Sequence, residues 1–203
     1  MSKTQDFIPN GPGGLPDPGF TLDQTSTVLW QAIDDPIGAP DEENTYAFWA
    51  SNLSYDRIGV TVSVPAFQGS PDDVIDEIKV VIRASGGLDA NYNPVTPSGD
   101  GNTFYLGFRT GSPLVTYYKP VTLTSGNLLN YIRIWTYRTE NIPFYGSDLV
   151  NFEIGIWYDT YVVNSGKSIA PNDNAANVMT QLYAQITYSP PKQKAGGAAL
   201  LFL

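Results

Sequence analysis

Residues 131–161 constrain the fold of this chain more than any other stretch of its sequence. They read YIRIWTYRT, then ENIPFYGSD, then LVNFEIGIWYDTY. The first and last runs alternate with a period of two residues, which is typical of half-buried strands. We expect these two strands to pair antiparallel, so that they form one aliphatic face and one aromatic, charged face.

The two predicted faces divide the large side chains of this hairpin. The aliphatic face is expected to join a hydrophobic core that contains Ile132, Ile134, Ile154, Ile156, Val80 and Ile82. The opposite face carries an aromatic and charged set, made of Tyr131, Arg133, Trp135, Tyr137 and Trp157. We interpret this second set as a binding face.

Further strand patterns fill residues 46–189. IGVTVSV at 58–64 alternates cleanly, and other candidates lie at 46–50, 74–84, 104–109, 117–123 and 182–188. Helical patterns are almost absent, and 16 prolines and 19 glycines predict many turns. These patterns predict an all-β protein with a β-sandwich over 46–189. Its eight strands favour a jelly roll, with an immunoglobulin-like Greek-key sandwich as the alternative.

Both ends of the chain differ in composition from this body. Residues 1–45 are rich in proline and glycine, which predicts an extended N-terminal arm. Residues 190–203 form an apolar tail, in which the apolar end 198–203 follows the basic, glycine-containing stretch 192–197. Large apolar residues in the two segments predict assembly arms on neighbouring subunits, formed by Phe7, Phe20, Trp30, Leu200, Leu201, Phe202 and Leu203. Residues 1–30 and 195–203 are the parts expected to lie on neighbours in a closed homo-oligomer such as a trimer.

Composition excludes several classes of function. The net charge is −9 and no basic patch is visible, so we expect no nucleic-acid partner. The chain contains no cysteine and no histidine, which rules out disulfides, thiolate chemistry and imidazole catalysis or ligation. The start, MSKTQDFIPNG, lacks an apolar core, and no apolar run approaches the roughly 20 residues of a membrane span. We therefore expect a soluble protein, made in a cytoplasm, with no membrane partner.

Three oxygen-rich stretches are candidates for calcium binding. The acidic cluster contains Asp72, Asp73, Asp76 and Glu77, and the DANYN stretch at 89–93 has a counterpart at 172–174. Carboxylate and carbonyl oxygens are the ligands that Ca²⁺ prefers, but the spacing of an EF-hand loop is absent. Asn and Asp also serve turns on their own. We favour turns, and expect neither a metal nor a cofactor.

The aromatic face allows two interpretations. Its rings could stack on a sugar whose hydroxyls are bound by Arg133, Glu153 and Asp159. Trp, Tyr and Arg are also enriched in the centres of protein interfaces, and we favour that interpretation. No phosphate-binding or nucleophile-elbow motif is present, so we assign no catalytic residue and do not expect an enzyme.

The arm IPNGPGGLPDPGF at 8–20, the body of short strands and the apolar end AALLFL at 198–203 together resemble virion structural proteins of tailed bacteriophages and similar viruses. The resemblance implies a sandwich with arms that invade neighbours, and a non-enzymatic capsid decoration, cement or minor capsid subunit. Its partners would be other virion proteins, above all a major capsid protein, and its location the virion. The alternative function is a glycan-binding module on a virion surface; a carboxylate-dependent glycan hydrolase ranks third.

Overall fold

A computed structural model describes residues 1–15, 21–22, 28–37, 47–49, 58–88, 102–123, 132–138, 144–158 and 176–191 of the chain. Within these ranges the secondary structure is β, apart from two 3-10 turns at Leu29–Ala32 and Gly146–Leu149. The strands form two antiparallel sheets. The predicted all-β class is therefore confirmed.

The first sheet is built on the long central strands β6 (Val74–Leu88) and β12 (Ala176–Ser189). They pair antiparallel with three register shifts. Along one side of β12 lie β1 (Lys3–Phe7) and β4 (Ala47–Trp49), and β3 (Thr21–Leu22) pairs with β4. Along the other side of β6 lie β9 (Ile132–Arg138) and β10 (Phe144–Tyr145).

The second sheet has the strand order β2-β5-β11-β7-β8. Its strands are β2 (Gly11–Pro12), β5 (Ile58–Ser63), β7 (Asn102–Thr110), β8 (Val115–Leu123) and β11 (Glu153–Tyr158). A tight turn joins β7 to β8, and Gly111 occupies it with a φ of +94°, a conformation that favours glycine. The buried Thr110 hydroxyl lies 2.7 and 3.0 Å from the carbonyl oxygens of Asp148 and Val150, which fixes this turn against the segment before β11.

One hydrophobic core draws side chains from both sheets. Four of the predicted core residues are confirmed with 0% exposure, namely Val80, Ile82, Ile154 and Ile156. Ring contacts connect the sheets directly, since Phe108 of the second sheet lies 5.6 Å from Tyr137 of the first. Burial of each large side chain stabilises the fold by about 1.5–3 kcal/mol, so this shared core holds the sheets together. The side chains of Ile132 and Ile134 lie outside the described residues.

The predicted hairpin between residues 131–139 and 149–161 is wrong. β9 pairs with β6 in the first sheet, whereas β11 pairs with β5 and β7 in the second. The segment between them carries β10 and the turn Gly146–Leu149, and it crosses from one sheet to the other. Alternation within each strand depends only on local sequence, so it identified both strands without revealing their partners.

The edge of β12 is covered by three successive segments of the chain. β1 pairs with residues 184–188, the carbonyl of Ile33 accepts a hydrogen bond from the Leu182 amide at 3.1 Å, and β4 pairs with residues 177–179. Ile33 is itself a core residue with 0% exposure. The described parts of residues 1–45 thus belong to the sheets and core of their own chain, and the predicted boundary at residue 45 stays a prediction.

Candidate functional site

The predicted aromatic face is divided between the two sheets. Tyr137 is in β9 and Trp157 in β11, so they do not share a surface. Arg133 and Trp135 lie opposite Ile82 and Val80 in the register of β6 with β9, and their side chains lie outside the described residues. Tyr131 and Asp159 also lie outside the described residues. A single binding face made of these residues is therefore wrong.

Tyr137 packs into the core between the sheets. It lies opposite Ile78, a residue with 0% exposure, and cross-strand neighbours share a face of the sheet. Its ring contacts Tyr117 at 5.2 Å and Phe144 at 6.3 Å. Burial raises the pKa of the Tyr137 phenol above its ordinary value of 10.0, and the neighbouring Tyr117 adds to the rise. The position of Tyr137 therefore indicates a role in the stability of the fold rather than in ligand binding.

Trp157 points away from the core, as its alternation with Ile154 and Ile156 predicts, yet only 5% of it is exposed. It lies opposite Gly59, where a Cβ atom would approach the indole Cδ1 to 2.1 Å, and 6.0 Å from the Tyr118 ring. The missing side chain at Gly59 therefore makes room for the indole. A sugar ring cannot stack on an indole that is this deeply covered. The interpretation that Trp157 stacks on a sugar is therefore wrong.

The residues assigned to the assembly arms have different positions. Phe7 is a core residue with 0% exposure, and its ring contacts Phe152 at 5.5 Å. Trp30 packs partly buried against the same core. Phe7 is therefore not available in this structure as a contact with a neighbour, because the chain's own core provides its burial. Phe20 and residues 200–203 lie outside the described residues.

A polar network on the outer face of the second sheet holds the segment after β2. The Glu153 carboxylate accepts hydrogen bonds from the Gly14 amide at 2.9 Å and the Thr61 hydroxyl at 2.7 Å. The Leu15 amide donates to the same Thr61 hydroxyl at 3.1 Å. Arg109, opposite Glu153 in the register of β7 with β11, lies 3.5 Å from the carboxylate through its Nε, a distance typical of an ion pair rather than a hydrogen bond.

The sequence predicts that Glu153 lies with Arg133 and Asp159 in a group that binds sugar hydroxyls, but Arg133 belongs to the other sheet. The actual charged neighbour of Glu153 is Arg109, which comes from a strand more than 40 residues earlier. A signal existed, since Arg109 is the only basic residue of β7, but the strand pairing was needed to use it.

A cleft of about 480 Å³ opens between the loop after β5 and the segment 146–153. Most of its lining is apolar and includes Val64, Pro65, Phe67, Leu149, Val150 and Phe152. Val150 is 50% exposed. Glu153 and Asn151 are among its polar residues. We call this feature the β5–β11 cleft.

Backbone hydrogen bonds fix the walls of the β5–β11 cleft. The Gly146 amide donates to the Asp73 carbonyl at 2.8 Å, and the Ser147 amide donates to the Pro71 carbonyl at 2.9 Å. Phe67 is wedged beside Gly146, where a Cβ atom would lie 2.6 Å from the ring, and it contacts Tyr188 edge-on at 4.8 Å. The cleft therefore has a preformed shape. Its residues were not predicted as a site, because they are scattered over two distant segments.

The acidic cluster has protein partners. The Asp73 carboxylate accepts from the Ser70 amide at 2.8 Å, and Glu77 forms an ion pair with Lys79 at 2.8 Å. The Asp76 carboxylate accepts from the Ser189 hydroxyl at 3.3 Å. In the ranges that the structure describes, no group of three or more acidic, histidine or cysteine side chains is arranged to hold a metal ion. The stretches at 89–93 and 172–174 lie outside those ranges.

Among the described residues, no helix is long and apolar enough to cross a membrane. No protein-family model matches the chain, and no curated protein is significantly similar to it.

Proposed function

We propose that the chain is a non-enzymatic structural subunit of a virion, a capsid decoration, cement or minor capsid protein with a jelly-roll sandwich. The observation that carries the proposal is a nested pairing of the body strands. The first of them, β4, pairs with the last, β12; β5 pairs with β11, β6 with β9, and β7 with β8. A long antiparallel hairpin that is rolled up produces this order.

The distribution of these pairs between the sheets supports the same interpretation. The pairs β4–β12 and β6–β9 belong to the first sheet, and the pairs β5–β11 and β7–β8 belong to the second. Successive pairs thus alternate between sheets, as they do when such a hairpin wraps around a core. Eight-stranded jelly rolls occur in viral capsid proteins, in lectin domains and in cupins, so this strand order supports a capsid subunit and keeps a lectin-like module as the alternative.

The choice between capsid and glycan binding depends on particular side chains. A glycan module needs exposed aromatic rings, but within the predicted face Trp157 is only 5% exposed and Tyr137 packs in the core, and the exposed Tyr118 and Tyr145 belong to different sheets. In contrast, several apolar side chains at one end of the described structure remain in water, with Leu114 42%, Val115 47% and Val150 50% exposed. Together with the apolar sequence at 198–203, they favour contacts with protein, and the proposed partner is a major capsid protein or another copy of the chain.

Mass spectrometry of purified particles from the virus that encodes the chain tests the proposal. We expect the protein in many copies per particle, retained through washes that remove loosely bound proteins. As a control, a non-structural protein of the same virus must be depleted from the same particles. Absence of the chain from such particles, or specific binding to an array of glycans in place of particles, would contradict the proposal.

A further inference from the structure

The chain leaves β12 beside the β5–β11 cleft. Tyr188 contacts Phe67, which lines that cleft, at 4.8 Å. The next residue, Ser189, donates a hydrogen bond from its hydroxyl to Asp76, and Pro190 and Pro191 follow as exposed residues. Whatever follows Pro191 therefore starts close to the wall of the cleft.

The sequence that follows has chemistry complementary to the cleft. Residues 192–197 carry Lys192 and Lys194, and residues 198–203 read AALLFL. The cleft offers apolar walls, and Asp72 and Asp148 adjoin its lining residues Pro71 and Leu149 in the sequence. Glu153 also lines the cleft, but its carboxylate already contacts Gly14, Thr61 and Arg109. Its volume of about 480 Å³ falls within the roughly 300–1,000 Å³ of typical ligand clefts. A basic segment followed by large aliphatic side chains matches this combination of acidic border and apolar interior.

We propose that the β5–β11 cleft binds residues 198–203 of a second copy of the chain, with Lys192 and Lys194 close to its acidic border. The inference rests on the proposed function, because it names the contact that joins the subunits. Consecutive prolines at 190 and 191 favour an extended course that carries the chain onward from its own sheet. One such contact is weak, but repetition around an assembly raises the local concentration and makes it effective.

Limited trypsin digestion of the full chain tests the contact, since the segment contains cleavage sites at Lys192 and Lys194. Val150→Asn places a polar amide on the exposed apolar rim of the cleft, and Val28→Asn is the matched control at an exposed valine that does not line it. We expect cleavage after these lysines to slow as the total protein concentration is raised about tenfold. Val150→Asn should speed cleavage about fivefold or more, because it replaces an apolar contact with the bound segment by a polar amide, and Val28→Asn should leave it unchanged.

A variant of the segment itself completes the test. Phe202→Ala should speed cleavage as Val150→Asn does, and the combined variant should be no faster than either, because both remove one contact. The inference is overturned if Val150→Asn and Val28→Asn are cleaved at equal rates, or if the effects of Val150→Asn and Phe202→Ala on cleavage add in the combined variant. It is also overturned if protection from trypsin does not depend on protein concentration. If the protein is present in particles but its segment is not protected, the contact is wrong and the proposed function stands. If the segment is protected but particles lack the protein, the proposed function is wrong.

Discussion

Residues 1–15 close an edge of each sheet, but the two closures are built differently. Against the first sheet, β1 pairs with β12 over 5 residues and buries Phe7 completely. Against the second sheet, β2 pairs with β5 over 2 residues only, and the residues that follow are held by Glu153 and Thr61. The first closure depends on the hydrophobic core and the second on polar contacts. We therefore expect the second closure to open locally while the first opens only with global unfolding.

The largest effect is expected from Phe7→Ala, which removes the anchor of the first closure. Truncation of a fully buried phenylalanine leaves a cavity and costs about 3–5 kcal/mol. Urea unfolding followed by tryptophan fluorescence measures the loss. Lys3→Ala at the exposed start of β1 is the control and should change stability by about 0.5 kcal/mol or less. If both variants lose the same small free energy of unfolding, the pairing of β1 with β12 does not depend on the core.

A smaller effect is expected from Glu153→Gln, which disrupts the second closure. The neutral amide cannot pair with Arg109, and it replaces one of the two acceptor oxygens that hold Gly14 and Thr61. Leaving such largely buried groups unsatisfied costs about 1–3 kcal/mol in urea unfolding. Lys79→Gln, which removes the more exposed ion pair with Glu77, is the control and should cost about 1 kcal/mol or less. An equal loss of unfolding free energy in both variants would show that the polar network around Glu153 does not hold the residues after β2.

A still smaller effect is expected from Gln185→Ala at the outer face of the first closure. The Gln185 amide donates to the Asp6 carboxylate at 2.9 Å, and this contact is exposed to water. Its loss should lower stability by about 0.5–1 kcal/mol, because Phe7 still anchors β1. Hydrogen exchange of the β1 amides should accelerate only in proportion to this global change. Selective acceleration in β1 would contradict the core-anchored description.

Substitution of Tyr183 should have no effect at neutral pH and a visible one in alkali. Burial raises the pKa of Tyr183 above its ordinary value of 10.0, and repulsion by Asp6 of β1 adds to the rise. The folded state therefore retains this proton where the unfolded state loses it, so stability should fall as pH rises above about 10. Tyr183→Phe should reduce this fall in urea unfolding series at several pH values. Tyr137→Phe is the comparison in the core, where the pKa is also raised. An unchanged pH profile in both variants would contradict these assignments.

Local sequence was sufficient to predict most strands of the body and part of the core, but not the short strands β1, β2, β3 and β10. Alternation identified β5, β6 and β11, and it placed Val80, Ile82, Ile154 and Ile156 inside, where each has 0% exposure. It also predicted that Trp157 points away from that core. These properties depend on residues two apart in one strand, so the sequence contains them directly.

Pairing between strands was not predictable in the same way. Neighbouring strands of the sequence usually pair, which made a β9–β11 hairpin the natural expectation. The observed partners of β11 come from distant segments, and they explain the candidate site: Gly59 makes room for Trp157, and Arg109 faces Glu153. The role of Phe7 was missed for the same reason, because its proline-rich surroundings indicate an arm while its burial depends on β12.

Native-state hydrogen exchange of residues 1–15 in the full chain tests the central comparison most directly. We expect the hydrogen-bonded amides of β1 to exchange at the rate of global unfolding. The amides of Gly13, Gly14 and Leu15, which donate to Thr61 and Glu153, should exchange faster through local opening, and Glu153→Gln should accelerate those of Gly14 and Leu15 without a matching change in β1. Equal protection along residues 1–15, or equal acceleration of both parts by Glu153→Gln, would contradict two separate closures.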